Sequence, residues 1–438
     1  MSKCDTIIKG GSFITMDPEF RILSEHFMVI DQGRIVDILP LDQIKQYKAK
    51  QTHDAFGCLV TPGFINAHSH MPMSYFRGLA DDLPLHTWLK DYIWPLEAKM
   101  MTPDFVYDAS LHSAAEMILN GITLTNDMYF QKERIADACI RAGMRVLVSE
   151  AIIAPKYSGD GHEFAEKLLE FEDAYRDQPL VGCTIAPHAI YTCSAELYSS
   201  CARLAADHGW LLHTHLSETQ QELEDCLKLN GKRPLEYLAS LGVLEAKCLF
   251  AHGVWLSGKE LELLEGSQSA ISICTDSNLK LASGIAPLKD MLKRHLSVAL
   301  GTDGVASNNN LDILEELSTT AKLHKAINAD PEFLPARDAF ALLTIGGART
   351  LGKEQDLGSL EAGKCADLLI IDLQNLQSQP LYHPYSQLVY ALGAEQIRDV
   401  MVAGNFVLKK RQLSNLDEAE LISTAQEYQI KIQKELRQ

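Results

Sequence analysis

Histidines and acidic residues stand at the ends of several apolar runs of this chain, with the spacing of a metal site. His68 and His70 close one run and lie two residues apart, so on an extended segment both side chains face the same way. A third imidazole from His215 and a carboxylate from Asp303 would complete a set of nitrogen and oxygen ligands. Zinc and other borderline divalent metals favour such a set. The pattern therefore predicts a divalent metal and the hydrolytic chemistry that it supports.

A lone His-x-His pair has an ordinary alternative explanation, namely two histidines that are packed or exposed. Here the signal is stronger because Glu218 and His252 also stand at or just after the ends of apolar runs. His213 faces the same way as His215 by the two-residue period of a strand. We expect His213 to be an interior histidine hydrogen-bonded to a neighbour rather than a ligand, because Glu218 shares the side of His215.

Eight short apolar runs alternate with segments of helical length between residues 61 and 357. Several of these helical segments end just before a glycine, which accepts the left-handed geometry that closes a helix. Eight strand–helix units predict a (β/α)8 TIM-type barrel, in which reactive groups stand where strands end. The expected strands are Phe64–His68, Thr123–Asp127, Arg145–Glu150, Val181–His188, Leu211–His215, Cys248–His252, Ala270–Thr275 and Val298–Asp303.

Both ends of the chain have strand character. Residues 1–60 and 358–412 contain short runs rich in Ile, Val and Phe, broken by turn residues such as Gly404-Asn405. The simplest assembly joins them into one small β-sandwich domain that the barrel, residues 61–357, interrupts. Residues 413–438 carry an amphipathic helical pattern over Asp417–Leu436.

Composition indicates which binding partners and which cellular compartment to expect. The formal net charge is −18, and an acidic surface repels nucleic-acid phosphates and anionic lipid, so neither is an expected partner. No run is long and apolar enough to span a bilayer, and the start of the chain lacks the apolar core of a signal peptide. Ten scattered cysteines without C-x-x-C spacing predict reduced, buried thiols and a cytoplasmic location. They also argue against nucleophilic-cysteine chemistry.

Four motifs, in this order, resemble the amidohydrolase superfamily. They are Thr-Pro-Gly-Phe-Ile-Asn-Ala-His-Ser-His at 61–70, Leu-His-Thr-His-Leu-Ser-Glu-Thr at 212–219, Ala-His-Gly at 251–253 and Gly-Thr-Asp-Gly at 301–304. The segment 358–372 also looks like the closing strand of that family. Within it, the chain is most similar to the 5-methylthioadenosine/S-adenosylhomocysteine deaminases, over nearly its whole length.

The resemblance implies one divalent metal ion per subunit, with zinc as the expected ion and a homo-oligomer as the common assembly. No lysine ends the fourth predicted strand, where related two-metal hydrolases place a bridging modified lysine, so a single ion is expected. The implied ligands are His68, His70, His215 and Asp303. Glu218 would shuttle protons beside the metal with help from Asp303, and His252 would polarise the surroundings of the attacked carbon.

Further residues are implied to bind the substrate, in addition to Glu218 and Asp303. His188 would contact it, and Ser307 would sit near the leaving group or the sugar. Glu97, just after Trp94-Pro95-Leu96, matches the acid that nucleoside deaminases use on the ribose hydroxyls. Taken alone, Glu97 has the alternative explanation of a solvated helix carboxylate.

The implied reaction is hydrolytic deamination of an adenine nucleoside, to the inosine analogue and ammonia. Relatives that accept S-adenosylhomocysteine grip its carboxylate with two arginines after the third strand, a strong bidentate contact. Glu150 and His162 align with those positions, and Arg176 lies too far along to substitute. We therefore expect 5'-methylthioadenosine, adenosine or a similar uncharged nucleoside to be preferred.

Two other interpretations stay open from the sequence. The same scaffold serves hydrolases of other aminated heterocycles, such as guanine, cytosine, pterin or triazine rings. A catalytically dead barrel kept as a scaffold subunit is the other, although such proteins usually lose a ligand or the acid.

Overall fold

The computed structural model describes residues 1–154 and 162–437, and its centre is a barrel of parallel strands. All eight predicted barrel strands are present in the described chain, which confirms the predicted fold class. Their bounds are Phe64–His70, Ile122–Tyr129, Arg145–Ile152, Val181–Cys183 with Ala186–Pro187, Leu212–Leu216, Cys248–His252, Ala270–Ile273, and Ser297–Leu300 with Asp303–Gly304.

Three predicted strands are divided or shorter than expected. The eighth, expected as Val298–Asp303, is interrupted at Gly301-Thr302. The fourth, expected as Val181–His188, divides in two because Ile185 turns to pair with Leu212 of the fifth strand. The seventh, expected to reach Thr275, ends at Ile273 because Thr275 already begins a short helix.

The barrel closes where its last strand meets its first. Asp303 pairs with Ser69 and Gly304 with His70, so Asp303 is brought beside the His68-Ser69-His70 motif. Gly301 permits this approach: a Cβ there would lie 2.8 Å from the Cβ of His68 and 2.9 Å from its backbone nitrogen. A side chain at this position would push the last strand away from the histidines.

Helices surround the barrel and connect its strands. The α-helices are Leu85–Trp88, Trp94–Met100, Pro103–Leu119, Lys132–Ala142, His162–Ala174, Ala195–His208, Gln220–Asn230, Pro234–Ser240, Gly258–Glu265, Thr275–Lys280, Leu288–Lys293, Val305–Asn308, Ile313–Ile327, Ala336–Leu343, Ile345–Thr350, Pro384–Tyr390 and Glu418–Glu435. Shorter 3₁₀ turns lie at Leu41–Gln46, Met71–Phe76, Val243–Glu245, Leu376–Ser378 and Ala394–Gln396, and a π turn at Leu89–Ile93.

The two ends of the chain form a β-sandwich, as predicted. One sheet has the spatial order Arg34–Pro40, His26–Asp31, Ser2–Lys9, Tyr47–Asp54. The other has the order Gln412–Leu413, Asn405–Lys409, Ile397–Val402, Leu368–Asp372, Cys58–Pro62, Ser12–Ile14, Ile22–Ser24. Buried apolar side chains of both sheets, such as Ile8, Met28, Val60 and Ile370, form a common core.

The sandwich is joined to the amino-terminal end of the barrel, away from the strand ends that carry the histidines. Arg145, at the start of the third barrel strand, donates two hydrogen bonds to Asp367 of the sandwich, at 2.7 and 3.1 Å. The strand Cys58–Pro62 runs two residues past the expected boundary at residue 60. The division at 60/61 and 357/358 therefore stays a prediction, with its first boundary closer to Pro62.

The C-terminal helix Glu418–Glu435 matches the predicted amphipathic segment. It packs against the helix Pro103–Leu119, where Tyr428 donates a hydrogen bond of 3.1 Å to Asp108 and its ring meets Phe105. Within the described residues, no helix combines the length and apolar character needed to cross a bilayer.

Candidate active site

Four side chains from three distant strands meet at the carboxyl end of the barrel. His68 and His70 end the first strand, His215 lies on the fifth, and Asp303 follows the eighth. One ligand atom from each lies within 4.8 Å of the other three. Asp303 Oδ1 is 3.3 Å from His68 Nε2 and 3.2 Å from His70 Nε2, and the Nε2 atoms of His70 and His215 are 3.3 Å apart. The set predicted from the sequence is therefore assembled in space.

The hydrogen bonds around these four groups fit a cation at their centre. His70 Nδ1 lies 2.5 Å from the carbonyl oxygen of Met128, and His215 Nδ1 lies 2.8 Å from that of His188. A carbonyl can only accept, so each Nδ1 carries the proton and each Nε2 presents a lone pair. His68 Nε2 is buried without a hydrogen-bond partner. Converging lone pairs and a carboxylate oxygen repel one another unless a positive ion lies between them. This donor set suits one divalent metal such as zinc.

Asp303 is held by two serine hydroxyls. Ser277 Oγ and Ser307 Oγ both donate to its Oδ2, at 2.6 and 2.8 Å, while Oδ1 faces the histidines. The carboxylate is therefore fixed in orientation. A cavity lies beside His70, His215 and Asp303. Ser307, expected near the leaving group or the sugar, lines this cavity and also supports Asp303 directly.

Glu218 and His252 lie together beside this group. The distance from Glu218 Oε2 to His252 Nε2 is 3.7 Å, and both side chains are almost fully buried. Burial raises the pKa of Glu218 above its usual range. His252 Nδ1 lies 3.0 Å from Asn278 Oδ1, so Nδ1 donates and Nε2 is left for the cavity.

Glu97 and His188 also line the cavity, together with His70, His215 and Asp303. Tyr129, at the end of the second strand, donates its hydroxyl to Glu97 Oε1. Desolvation raises the pKa of Glu97 to about 7, against the lowering effects of Tyr129 and His70. His188 is fixed by Thr192, whose Oγ1 lies 2.9 Å from its Nδ1. Glu97 is therefore a hydrogen-bonded carboxyl group in the cavity and not a solvated helix carboxylate.

His213 lies behind the site rather than in it. It is fully buried, with Nε2 2.9 Å from His68 Nδ1 and Nδ1 3.1 Å from Asn126 Nδ2. This is the interior, hydrogen-bonded histidine that the sequence predicts, and it orients the imidazole of His68.

Glu150 was expected near the substrate, and that expectation is wrong. Glu150 accepts hydrogen bonds from the backbone N–H groups of Gln131 and Lys132, at 2.9 and 3.4 Å, and does not line the cavity. Its neighbours Ala151 and Ile153 do so, because successive residues of an extended segment point to opposite sides. The helix that begins at His162 is described, but its side chain lies outside the described part of the chain. Arg176 is exposed and pairs with Asp173.

Three supporting residues were missed by the sequence analysis: Tyr129, Ser277 and Asn278. Each lies at or just past the carboxyl end of a barrel strand, so the rule that located the ligands could have located them too. What they touch could not be read from spacing, because their partners Glu97, Asp303 and His252 belong to other elements.

Comparisons with known proteins agree with the expected family. Residues 59–407 match the amidohydrolase family profile. A 5-methylthioadenosine/S-adenosylhomocysteine deaminase of Thermodesulfovibrio yellowstonii is 42% identical over 425 residues, which cover 96% of this chain and 97% of that protein. A 5'-deoxyadenosine deaminase of Methanobrevibacter smithii is 40% identical over 377 residues, covering 85% and 86% of the two chains.

A solved structure is similar over nearly the full length. The adenosine deaminase of Xanthomonas campestris, determined with bound zinc, superposes with a TM-score of 0.95 at 37% identity, covering 99% of each chain. The sequence resemblance, the barrel and the assembled ligand set therefore lead to one conclusion. This chain belongs to the amidohydrolase family and, within it, to the 5-methylthioadenosine/S-adenosylhomocysteine deaminases.

Proposed function

We propose that this enzyme hydrolyses the exocyclic amino group of an adenine nucleoside, releasing ammonia and the inosine analogue. The observation that carries the proposal is the assembly of three imidazoles and Asp303 beside the Glu218–His252 pair, in a chain that belongs to this deaminase family. We propose His68, His70, His215 and Asp303 as ligands of one divalent metal ion, expected to be zinc. Such an ion lowers the pKa of a bound water toward ~7 and so supplies a nucleophile at neutral pH.

The surrounding side chains divide the proton transfers. Glu218 takes one proton from the attacking water and gives it to the ring nitrogen next to the attacked carbon, so negative charge does not build up on the purine. Asp303 carries the second proton of that water to the amino group, which leaves as ammonia, while Ser277 and Ser307 keep its carboxylate in place. His252, whose Nε2 faces the cavity, accepts a hydrogen bond from the attacking hydroxyl group and so helps to orient it. General acid–base help of this kind contributes ~10²–10⁴-fold to the rate.

The sugar is placed by Glu97 and His188, which line the same cavity as the proposed metal ligands. We propose that Glu97, in its ionised form, accepts hydrogen bonds from the ribose hydroxyls and that His188 contacts the substrate. A neighbouring pocket shares Trp94, Phe130, Ile153 and Tyr191 with this cavity, and most of the side chains that line it are apolar or aromatic. An apolar or aromatic lining suits an uncharged 5' substituent such as a methylthio group. We therefore propose 5'-methylthioadenosine, 5'-deoxyadenosine or adenosine as preferred substrates over S-adenosylhomocysteine.

The test is an activity panel that reads ammonia release from the metal-replete enzyme. Its members are 5'-methylthioadenosine, S-adenosylhomocysteine, adenosine, 5'-deoxyadenosine, guanine, cytosine, a pterin and an aminated triazine. We expect the uncharged adenine nucleosides to have the highest kcat/KM. A tenfold preference for S-adenosylhomocysteine would overturn the 5' assignment, and a preference for another ring would overturn the nucleoside. No turnover, with no metal bound after careful purification, would instead indicate a scaffold barrel.

We also infer a cytoplasmic enzyme that acts as a homo-oligomer on a small molecule, without nucleic-acid or membrane partners. All ten cysteines are unpaired and eight are buried, which suits a reducing compartment. The net charge of −18 disfavours phosphate-rich partners. Light scattering on the purified enzyme tests the oligomeric state, which stays a prediction.

A further inference from the structure

A buried carboxylate lies directly under the turn that carries Glu218. Glu222 Oε1 accepts a hydrogen bond of 2.8 Å from the backbone N–H of Ser217, and Oε2 accepts one of 2.8 Å from the N–H of Glu218 itself. The side chain of Glu222 is almost fully buried, with 4% of the residue exposed. Each of its oxygens is thus used on a different backbone group of the same turn.

The other edge of this turn is tied to the loop that follows His252. The carbonyl oxygen of Leu216 accepts from Gly253 N, and that of Ser217 accepts from Trp255 N, both at 2.9 Å. Ser217 itself has a φ of +50°, a conformation that a residue with a side chain rarely adopts. The turn therefore needs external support, and its N–H edge receives that support from Glu222.

The position of Glu222 in its helix explains how it reaches the turn. Thr219 caps the helix Gln220–Asn230, and its Oγ1 accepts from Glu222 N at 3.1 Å. A glutamate at this third helical position ordinarily returns its carboxylate to the N–H of the capping residue. Here the carboxylate passes Thr219 and binds the two residues before it. The start of this helix is thus hydrogen-bonded to the backbone of Glu218, the residue proposed to transfer the proton.

We propose that Glu222 is a positioning residue for the deamination reaction, which fixes the carboxyl of Glu218 next to His252. The inference rests on the proposed function of this site. The carboxylate offers a separate oxygen to each of the two neighbouring N–H groups, whereas an amide at this position has one oxygen and turns an NH₂ group toward the second donor. A displacement of about 1 Å at a reacting group can cost ~100-fold in rate.

The substitution Glu222→Gln tests this, with Glu260→Gln as its matched control. Glu260 is another buried glutamate at a helix start, which accepts from the backbone N–H groups of Ser257 and Leu235 at 2.9 and 3.2 Å and also pairs with Arg233 at 2.6 Å. Both variants and the wild-type enzyme are measured for kcat, KM, bound zinc and Tm. The substrate is the nucleoside that the wild-type enzyme turns over best. We expect Glu222→Gln to lose ~30- to 100-fold in kcat, with KM changed less than threefold and one zinc per chain retained. Glu260→Gln should lower Tm without a comparable loss of kcat.

A double substitution separates positioning from general damage. If Glu222 acts through Glu218, adding Glu222→Gln to Glu218→Gln should lower single-turnover rates by less than threefold, because the group it positions is already inactive. If Glu222→Gln does not fold, Glu222→Asp keeps the charge but withdraws the oxygens by one methylene, and the same pattern is expected with a smaller loss.

The outcomes are distinct. A wild-type kcat in zinc-replete Glu222→Gln, or a full further loss in the double variant, would overturn the positioning role while leaving the deaminase assignment intact. A wild-type enzyme that deaminates no nucleoside would overturn the proposed function first.

Discussion

The contact between Tyr129 and Glu97 predicts how kcat/KM depends on pH. The Glu97 carboxyl is desolvated in the cavity, which raises its pKa to about 7, and the hydroxyl of Tyr129 donates to it and works in the opposite direction. If the ionised carboxylate binds the ribose hydroxyls, kcat/KM of the wild-type enzyme should rise with pH through about 7. The sign follows because a carboxyl group whose pKa is raised is ionised only above that raised value.

The substitution Tyr129→Phe removes the hydroxyl and keeps the ring. A hydrogen bond to a charged group contributes ~1.5–3 kcal/mol, which at 1.36 kcal/mol per unit corresponds to ~1–2 pKa units. The pKa of Glu97 should therefore move up to ~8–9. At pH 7 the ionised fraction, and with it kcat/KM, should fall roughly 5- to 50-fold and recover as the pH passes 9.

The assay is ammonia release from adenosine between pH 6 and 9.5, for wild type, Tyr129→Phe and Glu97→Gln. Glu97→Gln is the control, because it removes the ionisable group and should abolish the midpoint near 7. If Glu97→Gln keeps that midpoint, the ionisation belongs to another group. A Tyr129→Phe profile that superposes on the wild-type one would refute the coupling between the two side chains.

Four further outcomes are expected. Glu218→Gln should keep its metal, measured by elemental analysis, and lose ~10²–10⁴-fold in kcat. A strong chelator should abolish activity and lower Tm, because a metal that binds only the folded state stabilises it, and added zinc should restore both. Ser277→Ala should lower kcat/KM by about 10-fold or more, since Asp303 loses one of two hydroxyl donors. Asp367→Asn should lower the free energy of unfolding in urea by ~3–5 kcal/mol, because it leaves Arg145 without its partner, while kcat of the folded enzyme is kept.

Each of these has a contradicting result. Near-native turnover by metal-replete Glu218→Gln would remove it from the mechanism, and activity that survives complete metal removal would end the metal-dependent proposal. Unchanged kinetics of Ser277→Ala would mean that Ser307 alone orients Asp303. An unchanged urea midpoint for Asp367→Asn would show that the junction between sandwich and barrel does not depend on this ion pair.

The sequence alone determined the barrel, the β-sandwich from both termini and the four side chains proposed as metal ligands. These depend on local patterns: a two-residue period places His68 and His70 on one side of a strand, and parallel strands bring their carboxyl ends to one face. When eight parallel strands alternate with helices in a barrel, the carboxyl end of every strand lies at the same mouth of the barrel. The identity of the groups at that mouth therefore follows from residue order.

The tertiary structure alone decided which atoms meet and which side chains support them. Glu150 was expected beside the substrate, yet its strand turns it toward the backbone of Gln131. Glu222 lies four residues past Glu218, but its role depends on a turn that is also held by the loop after another strand. Such contacts depend on how the barrel closes and on side-chain rotamers, which residue spacing does not specify, because the partners are brought together only when distant strands pair.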